Sequence, residues 1–375
     1  MFDLHDYLLP INKSRINEDR GYFNKQIGKE IDAYENEIPS VESADIIIVG
    51  VSEQRGAGLQ SSSIESNNIR QAFYNLYLWH QDIKIADIGD IKTGEHIKDS
   101  YAVIKIVLSE LLKLNKPVVI IGGSHDLTLG QYFAYQENKK FIDATVIDSM
   151  IDIQSESALR NENFLMEMLT EEPNHIRHYN HIGFQSYFIH PGMLETMDKL
   201  RFDCFRVGVA KEDIEEMEPV IRNSSLVSFD ISAIKNSDAP ANHFSPNGFS
   251  GEEACVLTRF AGMSDKVSTL GIYGYVAEKD IHNMTAVQIA HMIWYFIDGK
   301  SRSRQESTLS DKENFNEFHL GLTDIESTFW QSKKTGRWWM ELPSKTMVPC
   351  SKRDYLDASN NVVPERWLRA MERES

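Results

Sequence analysis

Short apolar runs alternate with longer amphipathic stretches from residue 44 onward. The first run, residues 45–51, is rich in β-branched side chains, too short for a helix and bounded by Gly50, which favours a buried parallel strand. Similar runs occur at residues 117–121, 144–148, 225–230 and 269–273. Helical patterns at Ser100–Leu114 and Ala286–Ile297 lie among these runs. We therefore predict βαβ units that build a three-layer α/β fold, a mostly parallel sheet with helices on both faces.

Polar side chains follow three of these predicted strands. His125 comes soon after the second strand, and Asp148 and Asp230 end the third and fourth. In open α/β sheets, functional residues gather beyond the carboxyl ends of the strands. We therefore expect the three loops to open onto one crevice.

The flanking segments have different patterns. Residues 1–43 are polar and charged with scattered apolar positions, and we expect a helical extension that packs on the body. The α/β body is predicted to span residues 44–300, and a polar linker, residues 301–307, opens a C-terminal extension that runs to residue 375.

The C-terminal extension, residues 301–375, contains two aromatic-rich runs, 328–332 and 337–342, around a four-residue segment with a glycine. This arrangement predicts a β-hairpin. Residues 363–369 predict a short helix with Pro364 in its first turn. We expect the extension to pack on the body.

Composition excludes some classes of partner. The chain of 375 residues carries a formal net charge of −17, which argues against nucleic acid because phosphate binding needs clustered Lys and Arg. No apolar run approaches the ~20 residues that a membrane span requires. Residues 1–7 start acidic and lack an apolar segment, so we expect no signal peptide. The three cysteines show no paired spacing, which suits a reducing compartment, and we expect a cytoplasmic protein.

Three segments carry the chemistry of the chain. They are Gly-Gly-Ser-His-Asp at 122–126, Asp-Ser-Met-Ile-Asp at 148–152 and Ser-Phe-Asp-Ile-Ser at 228–232. These segments resemble the metal-binding signatures of the ureohydrolase family, which includes arginases, agmatinases and formiminoglutamases. The family patterns are Gly-Gly-x-His, Asp-Ala-His-x-Asp and Ser-x-Asp-x-Asp. Weaker likenesses at residues 50–53, 68–70, 87–90 and 238–253 follow in the family's order.

The resemblance implies an arginase-like fold and a family that cleaves guanidino or formimino groups with a hydroxide held between two Mn²⁺ ions. Two cations that share a hydroxide lower the pKa of water and stabilise the tetrahedral intermediate. Carried over by position, one ion would keep all its ligands, which are His125, Asp148, Asp152 and Asp230.

The second ion would lose both of its private ligands, because Met150 stands where the family has His and Ser232 where it has Asp. A thioether is a poor ligand for Mn²⁺, and a neutral hydroxyl does not replace a carboxylate. We therefore predict at most one divalent metal, with Mn²⁺ first and Mg²⁺ or Zn²⁺ as alternatives. The second metal site is predicted to be absent.

Each of these residues also has a purely structural interpretation. His125 could be a loop histidine satisfied by backbone groups, and Asp148 and Asp152 could cap the following helix. Asp230 has a similar alternative at its strand end. Without a metal, repulsion among the clustered carboxylates would raise the pKa of one of them, or another cation would pair with them. Lys235 is a candidate for that cation.

Glu253 matches the glutamate that binds the guanidinium or formimino group in the family, because a carboxylate pairs with that planar cation. Ser250 and Glu253 also fit a helix capping box, which is an equally good interpretation. Family members commonly carry a further His after the second motif as a proton shuttle. Residues 157–163 contain none, so general acid–base help is missing there.

Two functions of different classes follow. The first is a ureohydrolase-fold protein that has lost dimanganese hydrolysis and serves in ligand binding or protein interaction. The second is an active formiminoglutamase-like or agmatinase-like hydrolase that works with one metal or with substitute ligands, for example His175, His178 or His181. The resemblance also makes a homo-oligomer an expectation, since ureohydrolases commonly form trimers or hexamers.

The C-terminal extension offers a further candidate for a protein partner. Phe329, Trp330, Trp338 and Trp339 could form a partner-binding surface, since Trp is enriched at interface hot spots. Adjacent Trp338 and Trp339 should point to opposite faces of a strand. The alternative is that both are covered by other parts of the same chain.

Overall fold

The computed structural model describes residues 4–60, 64–322 and 325–374. The expectation of no signal peptide concerns residues 1–7, of which the first three lie outside the described residues.

A central sheet organises the body. Its strands are, in chain order, β1 (Leu8–Leu9), β2 (Asp32–Ala33), β3 (Ile46–Val51), β4 (Ile85–Ile91), β5 (Val118–Ile121), β6 (Ile142–Ile147), β7 (Ile176–Phe184), β8 (Asp203–Arg206), β9 (Leu226–Asp230) and β10 (Thr269–Tyr273). Neighbouring strands lie in the order β1-β4-β3-β5-β10-β9-β6-β7-β8, with β2 also paired to β4. From β4 to β8 every pairing is parallel, whereas β1 pairs with β4 in the antiparallel sense. The predicted mostly parallel sheet is confirmed.

Helices cover both faces of this sheet. They are α1 (Lys13–Ile16), α2 (Ile27–Glu30), α3 (Ile64–Tyr74), α4 (Ile97–Leu112), α5 (Thr128–Glu137), α6 (Phe164–Thr170), α7 (Pro191–Lys199), α8 (Val207–Glu212), α9 (Met217–Asn223), α10 (Gly251–Met263) and α11 (Met284–Ser303). Apolar residues of α3, α10 and α11 share one core cluster with the sheet, and those of α4, α5 and α6 share another. The strands β3, β5 and β10 are buried throughout, as a parallel sheet covered on both faces requires.

The strand order explains where the site lies. Strands β5, β10, β9 and β6 are consecutive neighbours at the centre of the sheet, and all four are parallel. The loops that follow β5, β6 and β9 therefore leave the same edge of the sheet, beside one another. Because the three strands are neighbours, these loops can open onto one crevice, as expected from the sequence.

The C-terminal segment forms a second, antiparallel sheet. Its strands are β11 (Phe315–Leu322), β12 (Ile325–Ser332), β13 (Trp338–Glu341) and β14 (Met347–Cys350), followed by α12 (Lys352–Ser359) and α13 (Glu365–Glu374). Strands β12 and β13 pair from Gln331 opposite Trp338, with residues 333–337 between the two strands, so the predicted hairpin is confirmed. Helix α13 begins directly after Pro364, close to the predicted start.

A buried arginine of the body holds the second sheet in place. The guanidinium of Arg222, on α9, lies 4.3 Å from the ring centroid of Trp339. Arg222 also donates hydrogen bonds to the backbone oxygens of Trp338 at 3.0 Å and Cys350 at 3.3 Å. Arg337 adds a second link, since it donates to the backbone oxygen of Met263 at 2.9 Å.

The aromatic set of the extension is therefore covered by its own chain. Trp338 and Trp339 are each 6% exposed, Trp330 is 4% exposed and Phe329 is fully buried. Trp338 stacks on Tyr355 of α12, whereas Trp339 faces Arg222, so the two point to opposite faces as a strand dictates. These four side chains do not form the exposed partner-binding surface that the sequence suggested.

The N-terminal segment is less helical than its composition favoured. Residues 4–43 contain the four-residue helices α1 and α2 and the two-residue strands β1 and β2, both of which pair with β4. The division of the chain near residues 43 and 300 stays a prediction. Within the described residues, no helix is both long and apolar enough to cross a membrane.

Candidate metal-binding site

Each candidate ligand stands at or just beyond the carboxyl end of a central strand. His125 opens a short 3-10 turn, His125–Leu127, which follows β5 and leads into α5. Asp148 follows the last residue of β6, and Asp152 lies four residues further along the same loop. Asp230 is the last residue of β9. The four side chains therefore converge from three neighbouring loops.

The Nδ1 atom of His125 lies at the centre of the group. It is 2.9 Å from Oδ2 of Asp152, 3.0 Å from Oδ2 of Asp148 and 3.9 Å from Oδ2 of Asp230. Potential ligand atoms of His125, Asp148 and Asp152 all lie within 4.8 Å of one another. All four residues are buried.

The opposite side of the imidazole is fixed by hydroxyl groups. Nε2 of His125 lies 3.1 Å from Oγ of Ser228, which in turn lies 2.6 Å from Oγ1 of Thr128. The Thr128 hydroxyl also donates to the backbone oxygen of His125 at 2.8 Å. Phe164 packs edge-on against the ring, at 4.9 Å between centroids. These contacts hold Nδ1 towards the carboxylates.

The second oxygen of Asp148 faces protein donors instead of a carboxylate or a histidine. Oδ1 accepts hydrogen bonds from the hydroxyl of Ser232 at 2.5 Å and from the backbone N–H of Met150 at 3.2 Å. The Ser149 hydroxyl donates to Ser232 at 2.9 Å. Both positions that depart from the family pattern, Met150 and Ser232, therefore meet at one atom.

Asp230 is held in a similar way. Its Oδ1 accepts the backbone N–H of Ser232 at 2.7 Å. Gly274, at the end of β10, has a φ of +81°, and a Cβ atom there would lie 2.5 Å from Oδ2 of Asp230. Only glycine leaves room for this carboxylate at the cavity floor.

Burial and mutual repulsion shift the protonation of these groups. Burial, helped by the charge of Asp148, raises the pKa of Asp152 well above its usual value. The same two causes raise the pKa of Asp230 to about 6. Burial also acts to raise the pKa of Asp148, but hydrogen bonding and attraction to His125 outweigh it and lower that pKa to about 2. Burial acts to lower the pKa of His125, yet its hydrogen bonds to Asp148 and Asp152 hold it well above the usual value.

The donor set fits a hard divalent cation. Three buried carboxylates and one imidazole nitrogen converge, which is a ligand set that Mn²⁺, Mg²⁺ or Zn²⁺ accepts. Across residues 4–60, 64–322 and 325–374, no Lys or Arg nitrogen lies within 4.0 Å of these three carboxylates. Lys235, the alternative cation from the sequence, pairs with Asp238 at 3.3 Å instead. A cation from solution would balance the negative charge of these carboxylates.

A small cavity of about 210 Å³ opens above this floor. Further residues that line it are Gln54, Ala57, Leu59, Leu159, Asn161, Glu162, Asn242, His243, Phe244, Val276 and Lys279. The predicted ligands His125, Asp148, Asp152 and Asp230 all line it, together with Met150 and Ser232.

The structure does not bring Glu253 to this cavity. Its carboxylate accepts the backbone N–H of Ser250 at 2.6 Å at the start of α10, and the Ser250 hydroxyl accepts the N–H of Glu253 at 3.2 Å. Lys211 lies 3.1 Å from the same carboxylate. The capping box is thus formed, and a role for Glu253 in substrate binding stays a prediction that this placement does not favour.

The three histidines considered as substitute ligands are engaged elsewhere. His175 stacks on Phe141, and His178 lies 2.9 Å from Oδ2 of Asp203. His181 comes nearest, but its Nε2 donates to the backbone oxygen of Asp148 at 3.2 Å. Burial lowers the pKa of His181 to about 4, so it is neutral. None of the three is among the described residues that line the cavity.

Several cavity residues were not found from the sequence. Lys279, His243 and Phe244 come from loops after β9 and β10, and Leu159, Asn161 and Glu162 from the long loop after β6. The residue types carry no family pattern, so only the strand order brings them together. In the loop after β6, the absence of a histidine between residues 157 and 163 was the only feature that the sequence indicated.

Comparisons with known proteins agree with this architecture. The sequence model of the arginase family matches residues 44–298. No curated protein matches the chain by sequence.

Among solved structures, Trypanosoma cruzi formiminoglutamase with Mn²⁺ has a TM-score of 0.62 at 16% identity, covering 71% of this chain and 99% of that one. Formimidoylglutamase from Bacillus subtilis gives 0.62 at 17%, covering 72% and 94%. A hypothetical agmatinase from Burkholderia thailandensis gives 0.62 at 17%, covering 76% and 95%. At these identities the likeness shows the fold alone.

Proposed function

Since the chain belongs to the arginase family, we propose that it keeps one of the family's two cation positions and has lost the other. In this proposal the protein holds one divalent metal and binds a small ligand above it, without hydrolysing guanidino or formimino compounds. The retained ligands are His125, Asp148, Asp152 and Asp230.

One observation carries the proposal. A bridging carboxylate offers one oxygen to each of two cations, and Oδ1 of Asp148 is already satisfied by the Ser232 hydroxyl and the Met150 N–H. These hydrogen bonds would have to be given up before this oxygen could bind a second cation. The residues that would otherwise bind that cation are a thioether and a neutral hydroxyl, which suit it poorly.

The bound metal would supply a fixed positive charge that attracts ligand oxygens. Mn²⁺ is the first choice, because carboxylates and imidazole together suit it and because similar solved structures carry it. The chain's own residues orient the site: Ser228 and Thr128 hold the imidazole of His125 in place. Such supporting contacts commonly tune a ligand's affinity for metal.

Among the described residues, the loop after β6 brings no histidine to the cavity. Leu159, Asn161 and Glu162 occupy the loop where the family resemblance places a proton-shuttling histidine. The imidazole of His243 reaches the cavity from another loop, where it is in contact with Lys279. This arrangement supports binding better than turnover.

An active hydrolase is the second candidate. The specific observation in its favour is the likeness of fold to formiminoglutamases, two of whose structures are described with a pair of Mn²⁺ ions. For this chain to act in the same way, a second cation would have to displace the hydrogen bonds on Oδ1 of Asp148.

The deciding experiment measures metal per chain together with turnover. The purified protein is equilibrated with Mn²⁺, and its metal content is measured by mass spectrometry of the ions. Arginine, agmatine and formiminoglutamate are then tested for release of urea, ammonia or formamide. We expect one Mn²⁺ per chain and no product. Two Mn²⁺ per chain, or product release that depends on Asp148, would favour the hydrolase instead.

A gain-of-metal variant sharpens this test. Met150→His combined with Ser232→Asp restores the two residue types of the family pattern, and we expect the metal content to rise from one to two per chain. The matched control is Met150→Leu with Ser232→Ala, which changes the same positions without adding ligands. If the restored pair still binds one metal, the assignment of the lost position is wrong.

Oligomeric state, partners and location belong to the same proposal. We expect a homo-oligomer, because the family commonly forms one, and light scattering in solution measures it. The burial of Trp330, Trp338 and Trp339 removes the strongest reason to place a protein partner on the C-terminal extension. The acidic composition and unpaired cysteines support a cytoplasmic location.

A further inference from the structure

Lys279 stands at the cavity mouth and pairs with no carboxylate of the described residues, and from its surroundings we infer the class of ligand. We propose that Lys279 and His243 hold the carboxylate of a small organic ligand whose body lies along Phe244. This inference rests on the proposed function, because it names the ligand class of the same cavity.

Lys279 lies against an imidazole instead of an acid. Its Nζ is 3.0 Å from Nε2 and 3.4 Å from Nδ1 of His243. Among the residues that the structure describes, Lys279 forms no ion pair within 4.0 Å. Its ammonium group can donate three hydrogen bonds, so donors remain for a ligand.

The neighbouring carboxylate is committed to the fold. Asp280 accepts the backbone N–H groups of Thr285 at 2.9 Å and Ala286 at 3.1 Å, at the start of α11. It therefore serves the helix terminus, where a carboxylate is stabilising, and does not neutralise Lys279. The positive charge at the mouth is left for something that enters the cavity.

The loop that carries His243 and Phe244 is fixed from below. The side chain of Asn242 is buried, and it donates to the backbone oxygens of Ile234 at 2.5 Å and Ser232 at 3.2 Å. Its Oδ1 accepts the N–H of Phe244 at 2.9 Å. A loop tied in this way presents its two exposed side chains in one position, which reduces the entropy that a ligand must remove on binding.

Aromatic side chains form one side of the mouth. Phe244 is 44% exposed although it lines the cavity, and its ring meets Phe188 at 4.9 Å between centroids. Phe188 in turn meets Tyr187, which is 63% exposed, at 4.7 Å. Exposed aromatics next to one cation suit a ligand that has an apolar portion and a single anionic end.

The cavity is polarised along its depth. Its floor holds three carboxylates, and one divalent cation leaves that floor with a net negative charge. Glu162 also lines the cavity, where its carboxylate accepts the Ser157 hydroxyl at 2.6 Å, and Lys279 is the one Lys or Arg among the described lining residues. A carboxylate would therefore be attracted to the mouth.

The size of the cavity limits the ligand. Its volume of about 210 Å³ lies below the ~300–1,000 Å³ typical of pockets for larger ligands. A compound of amino-acid size fits this volume.

The test uses pairs of probes that differ by one carboxylate. Binding of arginine and agmatine, and of leucine and 3-methylbutylamine, is measured by calorimetry with the Mn²⁺-loaded protein. The first member of each pair carries an α-carboxylate that the second lacks. We expect at least one carboxylate-bearing probe to bind about tenfold or more tightly than its partner, the range for a hydrogen bond between charged groups.

Variants of Lys279 test whether the preference for the carboxylate-bearing probe arises at the cavity mouth. Lys279→Gln is expected to erase the difference within the pair, and Lys279→Arg to retain most of it. Lys199→Gln is the matched control, because it removes the same charge from an exposed lysine of α7 that does not line the cavity. Thermal unfolding of each variant checks that the fold is intact. We expect an intact fold because both lysines are exposed.

Three results would overturn the inference. They are equal binding within both pairs, a preference that survives Lys279→Gln, and no binding of either carboxylate probe at millimolar concentration. A preference that survives Lys279→Gln but is lost in Asp148→Asn would place the carboxylate on the metal.

Failure of the proposed function would look different. Two Mn²⁺ per chain or product release would contradict that proposal, while the Lys279-dependent preference would still be readable in KM.

Discussion

Two buried clusters of aspartates flank the centre of the main sheet, and they differ in how their charge is balanced. In the first, Arg70 of α3 reaches Asp87 and Asp90 of β4, at 2.8 Å and 2.7 Å. The same guanidinium donates to the backbone oxygen of Gly89 at 2.9 Å, and the Tyr74 hydroxyl donates to Asp87 at 2.7 Å. We call this set the arginine cluster.

The second cluster, His125 with Asp148, Asp152 and Asp230, has no Lys or Arg nitrogen within 4.0 Å among the described residues. It gathers one more carboxylate than the arginine cluster, and the chain supplies only an imidazole in return. Repulsion and burial then raise the pKa of Asp152 and Asp230, as a site with surplus negative charge requires. We call this set the histidine cluster.

The difference separates structure from function. A complete ion cluster needs nothing further and serves the fold, whereas an incomplete one in a cavity is suited to bind a cation. The arginine cluster lies away from the cavity, and the histidine cluster forms its floor. The following predictions ask whether the two clusters behave as differently as their charges indicate.

The largest effect is expected from breaking the arginine cluster. Arg70→Met would leave Asp87 and Asp90 buried without their cation, which typically costs ~3–5 kcal/mol of unfolding free energy. Urea denaturation measures the loss, with Arg20→Met as the control because Arg20 is largely exposed. The loss should be the same with and without Mn²⁺. If Mn²⁺ restored the unfolding free energy of Arg70→Met, the arginine cluster would also bind a cation, and the distinction between the two clusters would be wrong.

A smaller effect, a gain in unfolding free energy, is expected when Mn²⁺ binds to the histidine cluster. At a free Mn²⁺ concentration of 100 times the dissociation constant, a single site stabilises the folded state by ~2.7 kcal/mol. Asp152→Asn should abolish this gain. In metal-free buffer, Asp152→Asn should cost less than Asp87→Asn, because Asp152 has no arginine to leave unpaired. An equal cost for both variants would contradict the distinction.

The sequence predicted the histidine cluster because its members stand at strand ends in recognisable motifs. A local sequence pattern can reveal both the buried strands and the residues that end them, and these two features bring the members of the cluster together. The arginine cluster was not predicted: residues 68–70 and 87–90 appeared only as weak likenesses, since an ion pair between a helix and a strand leaves no periodic signal.

The mouth of the cavity lay beyond prediction for a different reason. Lys279 and Phe244 acquire their positions from Asp280 and Asn242, whose hydrogen bonds depend on the whole fold. Glu253 illustrates the opposite case. Its motif position suggested ligand binding, but the local helix start uses its carboxylate.

The support of His125 offers a third prediction. Ser228→Ala removes the hydroxyl that lies 3.1 Å from Nε2 of His125 and 2.6 Å from Thr128. Loss of such a supporting group typically weakens metal affinity by about 10- to 100-fold. Titration with Mn²⁺ measures the change, and Ser186→Ala, at an exposed position, serves as the control. Unchanged affinity would mean that the hydroxyls do not orient the imidazole.

The smallest effect concerns the lost cation position itself. Ser232→Ala removes one of the two donors to Oδ1 of Asp148 and leaves the Met150 N–H in place. A typical hydrogen bond contributes ~1 kcal/mol, so unfolding in metal-free buffer should show a loss of about that size. Oδ2 of Asp148, which lies 3.0 Å from Nδ1 of His125, takes no part in these two bonds, so the Mn²⁺ affinity and the metal count should stay as in the unaltered chain. A second bound metal in Ser232→Ala would mean that the hydroxyl alone had excluded it, and that Met150 is no barrier. A loss of the first metal would mean instead that Ser232 supports the retained position, and the contrast between the two sides of Asp148 would be wrong.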